Sequence, residues 1–234
     1  MSRLYKFRYE DTPEFLKELS SFECHLSFDT EKHSFTAKIN ENPVWRLRLP
    51  LFFPSAESGE PLWYYLEQNE LNDLPQNWNI LLMESGRAAM GVYRDGKIIE
   101  HKNIRKYMVR KKQGKSQLKH LKTRGKSRYG SRLRLQESEA FFYEIIERLQ
   151  NENCSEAPFV FYHCPATLWP FLTEEAEEQK FEMNSKVWRR LGVNVKECSF
   201  DELKRMSTEP LFCRFTLEDE SVKDQLPPIP EFRK

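Results

Sequence analysis

Apolar positions along the chain fall into short bursts, mostly with the period of a strand. Residues 35–39 and 44–49 alternate apolar and polar side chains, and Asn40, Glu41, Asn42 and Pro43 make a turn between them. Residues 13–19 predict a short helix with Thr12 available as its cap. Prolines, serines and a glycine in residues 50–61 interrupt regular structure. Residues 79–84 then form a compact apolar strand, and Ser85, Gly86 and Arg87 turn it into a second strand, 88–93. Asp95-Gly96 is a strong hairpin signal, because both central residues of a type I′ turn need positive φ. Residues 97–100 and 104–109 continue the sheet. A helix over 137–151 follows, with Phe142, Ile145, Ile146 and Leu149 on one stripe and Glu137 and Glu139 near its start, where carboxylates suit the dipole. Beyond it the pattern predicts a buried strand at 159–162, an acidic helix at 173–181 and a strand at 193–196. A helix at 200–206, a last strand at 211–217 and an extended tail around Pro227, Pro228 and Pro230 complete it. Strands interleaved with helices predict an α/β fold, a mixed β-sheet flanked by helices.

The chain has 234 residues, 39% of them hydrophobic, enough for one sizeable core with a smaller unit attached. We divide it into an N-terminal subdomain or extension of unassigned role (1–75), a domain over 76–220, and a Pro-rich tail (221–234). No apolar run approaches the roughly 18 residues of a membrane helix. The opening residues lack the apolar core of a signal peptide. The expectation is a cytoplasmic monomer that uses no membrane. Five scattered cysteines without a C-x-x-C pair read as reduced, mostly buried thiols rather than a disulfide framework or zinc site.

Net charge is +1, but its distribution is lopsided. Fourteen of the 37 Lys/Arg lie between Lys102 and Arg134, where there is no Asp or Glu; the remainder holds 23 basic against 36 acidic residues, a balance of −13. Gly114, Gly125 and Gly130 interrupt this stretch, so the expectation is a long mobile basic loop rather than one rigid helix. Lacking local acids, its charges need solvent or a polyanion. Gly114-Lys115-Ser116-Gln117 sets an amide just after a flexible turn. Glutamine does not titrate near neutrality; its side chain can orient a water, or its backbone N–H can stabilise an oxyanion. Ester hydrolysis inside an RNA active site suits that role. On spacing alone, however, G-x-x-Q also describes a solvated loop glutamine.

Three blocks in order carry a resemblance. They are the hairpin from Ser85 through Lys97, the run from Arg105 through Gln117, which holds Tyr107, Val109, Arg110, Lys112, Gln113, Gly114 and Ser116, and Ser127 through Glu137 before a helix. They resemble the Vms-type release-factor domain, found in ribosome-quality-control peptidyl-tRNA hydrolases and akin to the catalytic middle domain of eukaryotic and archaeal class I release factors. The second block resembles that family's Y-x-V-R-x-K-Q-G-x-S-Q signature and the third its S-x-G-x-x-L-R-R signature. The resemblance implies a release-factor middle-domain-like fold over 76–220, with Gln117 as the catalytic glutamine, Gly114 giving the loop its turn and Ser116 flanking the site. It implies that Arg110, Lys111, Lys112, Lys115, Lys119, Arg124, Lys126, Arg128, Arg132 and Arg134 contact RNA. The implied partners are the large ribosomal subunit, its ribosomal RNA and peptidyl-tRNA, without cofactor or metal. Lys115 departs from the pattern where related factors have a second glycine, and Tyr129 stands where the family has alanine. The activity implied is peptidyl-tRNA hydrolysis that frees nascent chains from stalled large subunits. Cleavage of the tRNA acceptor end and a non-catalytic RNA-binding factor are the alternatives.

Other chemistry is thinner. His163-Cys164 reads as a core pair rather than a thiol nucleophile. His101 and His120 flank the basic stretch and read as phosphate contacts or solvated side chains. Cys24, His25 and His33 lack a metal-ligand spacing, and residues 174–178 read as a solvated helix face.

Overall fold

The computed structural model describes residues 2–57, 59–69, 71, 74–107, 129–150, 157–184 and 186–230, with the backbone alone for 129–135. The chain divides into two units, Met1–Pro75 with Thr208–Lys234, and Gln76–Ser207.

The first unit is an antiparallel sheet of β1 (Arg3–Arg8), β2 (His25–Asp29), β3 (Ser34–Ile39), β4 (Asn42–Arg48) and β10 (Phe212–Leu217), in the order β1-β10-β4-β3-β2. Asn40 and Glu41, at φ 48° and 66°, form the tight loop between β3 and β4. Helix α1 (Thr12–Leu19) buries Phe15, Leu16 and Leu19, and Phe15 packs edge-on against Phe215 at 5.3 Å. Each such buried side chain contributes about 1.5–3 kcal/mol. A second helix, α2 (Leu62–Gln68), buries Leu62 and Tyr65.

Three expectations change here. Thr12 does not cap α1: a 3₁₀ turn over Tyr9–Asp11 runs straight into the helix, and the Thr12 hydroxyl, fully buried, donates to the Arg8 carbonyl. The strand expected last in the 76–220 domain does form, but as β10 it lies between β1 and β4 of the other sheet. Its inward Cys213, Phe215 and Leu217 are buried there. The tail expected from residue 221 is not extended throughout. A 3₁₀ turn covers Glu220–Gln225, with the Asp219 carboxylate accepting from the Ser221 N–H and Val222 buried.

The second unit is a three-layer α/β domain. Its mixed sheet contains β5 (Asn77–Glu84), β6 (Arg87–Arg94), β7 (Lys97–Arg105), β8 (Val160–His163) and β9 (Trp188–Arg190), in the order β7-β6-β5-β8-β9. The first three pair antiparallel, and β5, β8 and β9 run parallel. The β6–β7 hairpin turns at Asp95 and Gly96, both at positive φ (48° and 76°), as the dipeptide predicts.

Helices α3 (Tyr129–Leu149) and α4 (Trp169–Glu178) cover one face. There Leu81, Met83, Met90 and Ile104 of the sheet pack with Phe141, Phe142, Ile145, Ile146 and Leu149 of α3 and Leu172 and Ala176 of α4. Helix α5 (Phe200–Met206), capped by the Ser199 hydroxyl, covers the other face, where the buried Tyr93 hydroxyl donates to the Leu203 carbonyl at 2.8 Å.

Helix α3 begins eight residues before the expected 137, so Gly130 is helical rather than a loop break. Leucine, arginine and glutamine are good helix formers, and they carry the helix N-terminal of its packed stripe. Helix α4 begins four residues earlier than expected, with Pro170 in its first turn. The strand expected at 193–196 is absent; Gly192 turns the chain at φ 56°, and Trp188–Arg190 pairs with β8 in its place. Among the described residues no helix is long and apolar enough to cross a membrane.

Candidate functional site

The expected catalytic group Gly114, Ser116 and Gln117 lies outside the described residues, as do Arg110, Lys111, Lys112, Lys115, Lys119, Arg124, Lys126 and Arg128, and with them the expected mobile loop. Arg132 and Arg134 occupy the first turns of α3, their side chains outside the description. Residues 108–128 hold nine Lys/Arg and no acid. The structure defines the elements on either side of that segment, β7 before it and α3 after it.

It leaves from β7, which ends at Arg105 rather than running on to 109. It returns into α3, which runs antiparallel to β7 and is tied to it along the length of the strand. Arg148 pairs with Glu100. The Glu144 carboxylate takes Lys106 at 3.1 Å and Lys102 at 3.8 Å. Nearest the exit, the Tyr107 N–H donates to Glu137 Oε2 at 3.4 Å. Between these polar ties Ile104, 2% exposed, sits in the apolar cluster under α3. Burial supplies most of the adhesion, since partly exposed ion pairs contribute only about 0.2–1 kcal/mol each. The pairs fix the register, so strand and helix act as one stem. From Glu137 back to Tyr129 the helix extends about 12 Å further along its axis, at about 1.5 Å per residue.

The stem emerges at the edge of the sheet where β5, β7, β8 and β9 end and β6 begins. In open α/β sheets the carboxyl edge of parallel strands is where ligands bind. Glu84, Arg87, Arg105 and His163 stand along it, with Glu84 3.8 Å from Arg87. Half-burial lowers the His163 pKa below its usual 6.5; the nearby Arg190 charge adds to this, against a smaller pull from Glu84. Burial pushes the Cys164 and Cys198 thiols up to about 12, so neither is a thiolate nucleophile near neutrality. Cys164 belongs to the core under α3, whereas His163 pairs with Leu82 in the β5–β8 register. His163-Cys164 is therefore no catalytic dyad. Cys213 is also buried and its thiol raised, while Cys24 is half-buried and raised to about 11. Cys154 and His120 lie outside the described residues.

His101, on the exposed side of β7, stacks on Phe200 of α5 with ring centroids 4.1 Å apart, and the Lys204 ammonium lies 4.2 Å from the same ring. His33 is 2% exposed and His25 is exposed. Among the described residues no group of three or more His, Cys, Asp or Glu is set to hold a metal.

Sequence reasoning missed the stem. Its signal was present in Glu137, Glu144 and Arg148, seven and four residues apart beside the apolar stripe, but their partners on β7 emerge only with the strand register.

Residues 78–217 match the model of the Bacteroidetes VLRF1 release factor family. The match runs from Trp78 in β5 to Leu217 at the end of β10. No curated protein matches the chain. Among solved structures it is similar to the Vms1 mitochondrial localization core, with TM-score 0.45 and 11% identity over 88% of this chain and 95% of that one. It is also similar to Archaeoglobus fulgidus Pelota, with TM-score 0.32 and 14% identity over 88% of this chain and 55% of that one, so it spans about half of Pelota's length.

Proposed function

This chain belongs to the Bacteroidetes VLRF1 release factor family, and on that premise we propose that it frees nascent peptides from stalled large ribosomal subunits by hydrolysing peptidyl-tRNA. Gln117 is the residue we assign to the chemistry, carried into the peptidyl-transferase centre by the basic segment around it. Water attacks the ester carbonyl, the bond to the ribose oxygen breaks, one of the water's protons passes to that oxygen and the other is lost to solvent. The products are a free peptide carboxylate and a tRNA with an intact terminal hydroxyl. Gln117 contributes through its side-chain amide, which orients the water at the developing oxyanion, and removal of one such polar group costs on the order of 10²–10³ in rate.

The observation that carries this reading is the stem. A 21-residue segment with nine positive charges and no acid leaves β7 and returns through α3, and both are locked to one rigid sheet. Such a segment reaches into a polyanionic pocket from a fixed base, and phosphate neutralisation drives its entry. Ser116 flanks Gln117, and Gly114 supplies the turn before it. Arg110, Lys111, Lys112, Lys115, Lys119, Arg124, Lys126, Arg128, Arg132 and Arg134 contact ribosomal RNA and the tRNA acceptor end.

The test is release from purified large subunits loaded with peptidyl-tRNA, comparing wild type with Gln117→Ala. We expect the variant to bind subunits with wild-type affinity and to release peptide roughly 10²–10³ more slowly. Equal release rates would remove Gln117 from the mechanism. A shortened tRNA product would assign the activity to acceptor-end cleavage instead.

A further inference from the structure

Arg87 opens β6 and Arg105 ends β7, and the two are register partners. The Lys106 N–H donates to the Gly86 carbonyl at 3.0 Å. In an antiparallel ladder this makes the neighbouring Arg87–Arg105 pair one of the non-hydrogen-bonded kind, whose Cα atoms approach to about 4.5 Å and whose side chains lie on the same face. Both arginines are exposed. Like charges directly opposite each other destabilise a sheet. Arg87 has Glu84 at 3.8 Å, but among the described residues Arg105 makes no ion pair. The sheet therefore sets two arginines opposite each other at the root of the stem, with Glu84 beside Arg87.

We infer that Arg87 and Arg105 form a fixed phosphate clamp for RNA, distinct from the contacts of the basic segment. The inference rests on the release-factor reading for its polyanion. Guanidinium forks suit the task, because each offers paired N–H donors to phosphate oxygens and stays charged at any relevant pH. Their setting continues the same chemistry. Alternation along β7 puts Asn103 and His101 on the face that carries Arg105, all three exposed, over roughly 13 Å at about 3.3 Å per residue. At the far end His101 stacks on Phe200, with Lys204 beside the same ring. A lane of donors and cations thus runs from the exit of the basic segment across the rigid domain. An RNA backbone entering beside the segment meets it in register. On α5, Asp201 pairs with Lys204 at 3.7 Å and Glu202 with Arg205.

The experiment measures the affinity of the full chain for large subunits, empty and peptidyl-tRNA-loaded, between 0.1 and 1 M salt. The variants are Arg87→Gln, Arg105→Gln, the double variant, and Arg94→Gln as control, an exposed arginine at the opposite end of β6. Each lost phosphate contact flattens the salt slope by about 0.7–0.9, so the double variant is expected to lose roughly 1.4–1.8 from the slope and to bind about 40-fold more weakly at 0.1 M. Its affinity converges on wild type near 1 M, and Arg94→Gln changes neither quantity. A loss confined to loaded subunits places the phosphate on tRNA; a loss on both places it on ribosomal RNA. Slopes equal to wild type in the double variant overturn the clamp while wild-type binding and release leave the release-factor reading standing. A wild-type chain that binds neither kind of subunit overturns both.

Discussion

A methyl group at position 91 tests how tightly α5 is seated on the sheet that carries the stem. Gly91 lies in β6, buried, and a Cβ built there falls 2.9 Å from the Tyr93 ring, 3.3 Å from the Tyr93 hydroxyl and 3.4 Å from Leu203 of α5. Carbon atoms prefer about 3.5–4.0 Å, so the ring has to move by about 0.6 Å or more. It has little room. Tyr93 is fully buried, stacks on Trp78 with ring centroids 5.6 Å apart, and its hydroxyl donates to the Leu203 carbonyl at 2.8 Å. Overpacking of this kind costs about 1–3 kcal/mol. If the ring shift breaks the buried hydrogen bond, about 1–3 kcal/mol more is lost. Removing glycine's extra freedom in the unfolded chain returns about 0.5–1 kcal/mol. Gly91→Ala is therefore expected to destabilise the second unit by about 1 kcal/mol if the buried bond holds and by about 3 kcal/mol if it breaks, read as a lower urea midpoint of the tryptophan fluorescence transition. The Gly91→Ala/Tyr93→Phe double variant relieves the 3.3 Å hydroxyl contact and gives less than the sum of the two single losses. A Gly91→Ala protein as stable as wild type would refute this packing.

Two further outcomes follow from the same packing. Glu144→Gln removes the carboxylate shared by Lys102 and Lys106; the pairs are partly exposed, so the global cost is about 0.5–1 kcal/mol, but the amides of Ile104, Lys106 and Tyr107 are expected to exchange faster, and unchanged protection by hydrogen exchange would mean that the stem does not depend on those pairs. Burial lowers the folded His163 pKa below its usual 6.5, so the unfolded chain binds more protons beneath that value; this stabilising contribution is complete above pH 6.5 and is lost as pH falls toward the folded value. His163→Gln should flatten that part of the profile. Glu202, lowered by its bond to Arg205 and retained in the variant, gives the separate loss expected below pH 4.5. A slope just below pH 6.5 identical in wild type and variant would contradict the assignment.

Local patterns were legible wherever chemistry and periodicity coincide. Asp95-Gly96 announced its hairpin, residues 200–206 their helix, and residues 79–84 a buried strand. Pairing across long separations was not legible. The alternation in β10 marks a strand but carries no label for its neighbours, and only the fold shows it between β1 and β4. The early start of α3 was hidden by Gly130 and by basic residues that look the same in a loop and on a solvated helix. Gln117 stood out through composition and family likeness, because an acid-free cationic stretch is visible without any structure. Arg87 and Arg105 did not. Eighteen residues separate them in the chain, and only the register of β6 with β7 sets them side by side.

The proposed reaction is the splitting of the peptidyl-tRNA ester by water that Gln117 directs. Single-turnover release from loaded large subunits in ¹⁸O-water, with wild type and Gln117→Ala side by side, measures this directly. The expected result is one ¹⁸O in the peptide's terminal carboxylate, a tRNA with its acceptor end whole, and release slowed by roughly 10²–10³ in the variant. Unlabelled peptide still joined to a fragment of tRNA, or equal rates for the two proteins, would contradict it.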